Sequence, residues 1–204
     1  MQTGVICVDF QKDFSSKEGI GYHARSCIEF FKDKFTPYCR ESGLKIAEIV
    51  SDYRLPRPGD EFECCVPGTP GYESEIPADI KRPDIWVKCM NSPEWIRENG
   101  GLAEKPPGLP YQDASLFTRW LDRVIGKPTE VQVVLIGLTL DCCVLCTAQA
   151  LSFRAYPVFF LVEGEDSFSG QALEKEQLLK IPASNWGQPL SWENFKVAAD
   201  VIKM

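Results

Sequence analysis

Apolar residues in this chain fall into two patterns: short unbroken runs, and longer stretches in which they recur every three or four positions. Residues 131–137 (VQVVLIG) are β-branched and apolar almost throughout and are bounded by turn residues, as expected of a strand buried on both faces of a parallel sheet. Residues 4–10 (GVICVDF), 44–51, 85–88 and 156–163 (YPVFFLVE) read the same way, although KIAEIV within 44–51 also suits an extended helix. Helical spacing appears in residues 26–42 through Ile28, Phe31, Phe35 and Tyr38, with Gly43 as the stop. It recurs in 115–125 (SLFTRWLDRVI), in 171–181, and after Asp141 through Val144, Leu145, Ala148 and Leu151, with Asp141 as the expected N-cap. The last residues, 193–204, predict a short strand at 195–197 and a final helical turn.

Strands alternating with helices imply a mostly parallel sheet covered on both faces. The expected fold class is therefore a single-domain, three-layer α/β/α fold of Rossmann-like form spanning residues 1–204. Two stretches interrupt the alternation. Residues 54–71 are rich in Pro and Gly and read as a long surface connection. Residues 91–115 are mostly loop, with a short helix expected around Trp95, and suit either a lid over a site or a tolerated insertion.

Composition narrows the function classes. With 204 residues and 44% hydrophobic content the chain can bury one sizeable core. A net charge of −7 without long basic runs argues against nucleic acid and anionic membranes as partners, although it names no small-molecule substrate. The first nine residues run straight into a strand with no signal-type segment, and no apolar run is long enough to span a bilayer, so a cytoplasmic location is expected. Nine cysteines lie mostly inside apolar segments and should be free thiols in such a compartment. His23 is the only histidine, so a Cys-His or Ser-His-Asp site has a single candidate and a His-rich zinc site has none.

The chemistry concentrates where apolar runs end. Asp9 and Lys88 each terminate a predicted strand, and Cys143 follows the strand 131–137 at a helix start. In open parallel sheets functional groups gather at the carboxyl ends of strands. A carboxylate, an ammonium and a thiol at neighbouring strand ends make a nucleophile with a proton shuttle and an electrostatic activator. The positive end of the helix is expected to lower the Cys143 pKa. Cys142 and Cys146 read more naturally as packing residues.

These residues, in order and spacing, resemble the isochorismatase-like (cysteine hydrolase) superfamily: VDFQKDF, then CVPGTPGYE, KCMNS, GLTLDCCVLCTAQAL and RAYPVFFLVEGEDS. The resemblance implies Asp9, Lys88 and Cys143 as the catalytic triad, a non-proline cis peptide between Leu138 and Thr139, and an oxyanion hole from the N–H groups of Thr139 and Cys143. It implies a dimer or larger homo-oligomer of parallel-sheet subunits. The positions that carry histidine in metal-dependent nicotinamidases of that family hold Arg54 and Cys64 here, so no catalytic metal and no other cofactor is expected. Arg54, Phe14 and Ser92 become candidate substrate contacts, Arg54 as a partner for a substrate carboxylate.

The reading is a cysteine-dependent hydrolase of a C–N bond in a small amide, ureido or carbamoyl compound. Rivals are an enol ether hydrolase of the isochorismatase type, a thiol–disulfide redox protein built on Cys143-x-x-Cys146, thiolate-bound zinc through Cys64, Cys65, Cys142 and Cys146, and a non-catalytic oligomeric binding protein.

Overall fold

A computed structural model describes residues 1–200. Eight strands are present among them: β1 (Gln2–Val8), β2 (Ile46–Ser51), β3 (Trp86–Lys88), β4 (Trp95–Ile96), β5 (Tyr111–Gln112), β6 (Val131–Leu138), β7 (Val158–Asp166) and β8 (Gln188–Leu190). Six of them form one sheet in the order β3-β2-β1-β6-β7-β8, and every neighbouring pair is parallel. The helices are α1 (Lys12–Ser15), α2 (Ser26–Phe30), α3 (Thr36–Ser42), α4 (Ala114–Val124), α5 (Leu145–Ser152), α6 (Ala172–Lys180) and α7 (Trp192–Asp200). None of the described helices is long and apolar enough to cross a membrane.

The unbroken apolar runs are explained by burial on both faces. In β1, Ile6 and Val8 pack with Phe117, Trp120 and Leu121 of α4 and Ala148 and Leu151 of α5. Their alternates Val5 and Cys7 pack on the other face with Phe31, Phe35 and Phe195. Side chains of a strand alternate between faces, so two covered faces require apolar residues at every position.

Several local expectations are corrected. Residues 26–42 are helical as the spacing predicts, but a π-helical turn, Phe31–Phe35, joins α2 to α3, and Gly43 ends the run at φ 73°. Trp95 lies in β4, not in a helix, because residues 95–96 pair antiparallel with 111–112. Phe195 is in α7, not a strand: Trp192 and Phe195, one turn apart, both pack on Phe35. The turn expected towards Met204 lies outside the described residues. Asp113 caps α4 by accepting a hydrogen bond from the Leu116 N–H at 2.8 Å, so that helix starts one residue earlier than its apolar spacing suggests.

The strand order reverses direction at β1, which has β2 on one side and β6 on the other. A crevice at the carboxyl ends of strands is the ligand position such a reversal creates. The register brings Val8 beside Gly137 and Ser51 beside Lys88, so the chain leaves β1, β2, β3 and β6 at one common edge.

Candidate active site

Each of the three chemical groups reaches the crevice by its strand. Asp9 follows β1 in the left-handed region at φ 53°, which aspartate tolerates better than most residues, and its N–H donates to the Ile49 carbonyl at 2.9 Å. Lys88 is the last residue of β3 and is fully buried. Cys143 lies in a π-helical turn, Leu140–Val144, between β6 and α5. The peptide bond Leu138–Thr139 before that turn is cis, as the resemblance implied.

The structure brings Asp9, Lys88 and Cys143 together. Lys88 Nζ donates to Asp9 Oδ2 at 2.8 Å and lies 3.3 Å from Cys143 Sγ. It also donates to Ser51 Oγ at 2.7 Å, and Ser51 Oγ donates to Asp9 Oδ1 at 2.9 Å. The Gln11 side chain clamps the Ser51 backbone, accepting from its N–H at 2.7 Å and donating to its carbonyl at 3.0 Å. Burial alone would lower the Lys88 pKa, but Asp9 and Cys143 outweigh it and hold the ammonium above its usual value.

Cys143 departs from expectation. Burial first, and the Asp9 carboxylate second, push its thiol well above the ordinary value, with Lys88 opposing them only in part. Both causes act against a preformed thiolate. The expected helix start is also different, since Asp141 caps nothing there and accepts from the Phe168 N–H at 3.0 Å.

A cavity of about 120 Å³ opens onto Cys143. Phe14, Tyr53 and Phe168 supply aromatic walls, Asn91 and Asp9 the polar groups, and Thr139 lies beside Cys143 on its lining. Two larger hollows, beside Lys12 and over Glu48, lie away from Cys143.

Of the candidate substrate contacts, only Phe14 lines this cavity. Arg54 is spent elsewhere: it holds Asp52 with two bonds of 2.9 and 2.7 Å and donates to the Lys105 and Asn99 carbonyls. It is a fastener between the end of β2 and the loop before β5, which contributes no residue to the lining of the Cys143 cavity. Ser92 turns the chain, its hydroxyl accepting from the Glu94 N–H at 3.3 Å, while its neighbour Asn91 reaches the cavity. Sequence reasoning missed Ser51, Tyr53 and Asn91. Tyr53 Oη lies 3.2 Å from Cys143 Sγ and accepts from Lys88 Nζ at 2.8 Å.

The rival chemistries find less support. All nine cysteines are free, and the bonds made by Cys143 Sγ go to Tyr53, Lys88 and Asn91, not to Cys146. Among the described residues no group of three or more His, Cys, Asp or Glu side chains is placed to hold a metal ion. His23 packs against the Phe168 ring and is not on the cavity wall.

The sequence matches no protein-family model and no curated protein. Solved structures do match the fold. An isochorismatase-like hydrolase from Alkaliphilus metalliredigens superposes with a TM-score of 0.64 at 18% identity, covering 97% of this chain and 96% of that one. A nicotinamidase from Bacillus subtilis gives 0.63 at 18%, covering 93% and 99%. N-carbamoylsarcosine amidase from Thermoplasma acidophilum gives 0.58 at 17%, covering 94% and 96%. The chain therefore has the α/β fold of the isochorismatase-like hydrolases along nearly its whole described length.

Proposed function

We propose that the protein is a cysteine hydrolase that cleaves a C–N bond of a small amide, ureido or carbamoyl compound through a thioester. One observation carries this reading: a buried ammonium, Lys88 Nζ, lies 2.8 Å from the Asp9 carboxylate and 3.3 Å from the Cys143 thiol, and those two residues line the same cavity. Two proteins of the same fold are named for amide and carbamoyl substrates, which supports the bond class.

Asp9 takes the thiol proton as Cys143 Sγ forms a bond to the carbonyl carbon. Because burial and the Asp9 carboxylate disfavour the thiolate, this transfer belongs to the chemical step, with Asp9 as its base. The oxygen gains negative charge facing the N–H groups of Thr139 and Cys143. The C–N bond breaks and Asp9 returns the proton to the departing nitrogen. Water then loses a proton to Asp9 and attacks the thioester, the C–S bond breaks, and Asp9 reprotonates the sulfur. Lys88 holds Asp9 in place throughout and favours the thiolate.

The test is turnover across a panel of small primary amides and N-carbamoyl compounds, with mass spectrometry of the Cys143 peptide after rapid acid quench. Turnover that disappears in Cys143→Ala, with an acyl adduct on Cys143 in the parent, is the expected result. Undiminished turnover in Cys143→Ala overturns the thioester route and leaves the enol ether type of chemistry, which needs no thiol.

A further inference from the structure

Tyr53 is more than a wall of the cavity. Its ring is buried, with the Arg57 guanidinium carbon 3.8 Å above the ring centre and Lys88 Nζ 4.9 Å from it. Arg57 is itself held by Asp60 at 2.7 Å. A cation over an aromatic face is held by the ring's electrons, which fixes the ring in place.

The phenolic oxygen has three neighbours: Lys88 Nζ at 2.8 Å, Cys143 Sγ at 3.2 Å and Asn91 Oδ1 at 3.4 Å. An ammonium only donates, so the single phenolic hydrogen goes to the sulfur or to the Asn91 carbonyl oxygen. The thiol is also 3.6 Å from that same Asn91 oxygen. Tyr53 and Cys143 thus compete for one acceptor, and each is the other's alternative partner.

Taking Cys143 as the nucleophile proposed above, we propose that Tyr53 is a positioning residue whose hydroxyl points at Asn91 while Cys143 is a thiol and turns to the sulfur when the thiolate forms. The move leaves Asn91 Oδ1 free to accept an N–H from the bound substrate. The proton that leaves the sulfur goes to Asp9, and the phenolic O–H bond does not break. Thiolate formation and readiness of Asn91 for an amide nitrogen are thereby one event. A hydrogen bond to an ionised group is stronger than one between neutral groups, so the thiolate gains most from this donor.

The experiment is the rate of Cys143 alkylation by iodoacetamide against pH, read by peptide mass spectrometry, which needs no substrate. Tyr53→Phe keeps the ring and its stack on Arg57 and loses only the donor. At each pH below the thiol's titration it should react about tenfold more slowly than the parent, and kcat should fall by a similar factor. Asn91→Ala should shift the profile the opposite way, because the sulfur becomes the only remaining acceptor for the phenol. A purely structural role would not produce opposite signs. Coincident profiles for Tyr53→Phe and the parent overturn the inference while leaving the nucleophile assignment intact. Undiminished turnover in Cys143→Ala overturns that assignment instead.

Discussion

Asp9 and Glu165 are equally buried, two strands apart in the same sheet, and their surroundings are opposite. Asp9 faces an ammonium at 2.8 Å and a hydroxyl at 2.9 Å. Both carboxyl oxygens of Glu165 lack a hydrogen-bond partner among the described residues. Burial accordingly pushes the Glu165 pKa well up, with Lys175 opposing only in part. An isolated carboxylate in a low-dielectric interior keeps its proton instead of its charge. Burial alone therefore does not mark a functional acid; at Asp9 it comes with a cation within bonding distance and an opening to the Cys143 cavity.

The largest effect that would break this comparison is on turnover. Asp9→Asn should lower kcat/KM by about 10²–10⁴-fold, the usual worth of general acid–base transfer. The same change should speed Cys143 alkylation at neutral pH, because the Asp9 carboxylate raises the thiol pKa and Lys88 lowers it. Turnover lost while the thiol still reacts is the signature; near-normal turnover in Asp9→Asn would show that Asp9 is not the base.

Stability comes next. Lys88→Met strands the Asp9 carboxylate, and breaking a buried pair from one side costs about 3–5 kcal/mol, measurable by urea unfolding. Adding Asp9→Asn should recover most of that loss, since a neutral amide needs no cation. A double variant as unstable as the single one would show that Lys88 is held for its packing.

The smallest effect concerns Glu165. A carboxyl whose folded pKa lies above its unfolded value contributes stability in full below the unfolded pKa of about 4.3 and loses it as pH rises towards the folded pKa. Glu165→Gln removes that dependence. The variant should gain on the parent between pH 5 and 7 by up to about 1.4 kcal/mol per pH unit in urea unfolding. Parallel stability curves would mean that Glu165 has found a cation and that the two carboxylates are alike.

The parts of this molecule legible in the sequence were those written as contrast. An apolar run that stops at Asp9, Lys88 or the turn before Cys143 announces both a buried strand and a polar group at its end, and the parallel sheet brings those ends together. Tyr53 and Asn91 carry no such signal. Each lies in the irregular segment just beyond a strand, where no period points a side chain, and only the paths of those segments aim both at Cys143. Arg54 was misread for the same reason, since its Asp52 partner is two residues away and nothing local shows that both are buried. The expected lowering of the thiol pKa gave no weight to full burial beside a carboxylate, both of which raise it. Phe195 resembled a strand residue until Trp192 and Phe35 gave it a helical neighbourhood.

Gly137 pairs with Val8 in the centre of the sheet, and a Cβ there would lie 2.1 Å from the Val8 carbonyl oxygen. The two strands that deliver Asp9 and Cys143 are held at their spacing by the absence of one carbon. In evolutionary terms the position is closed to drift, because every codon change at 137 that adds a side chain wedges the strands apart.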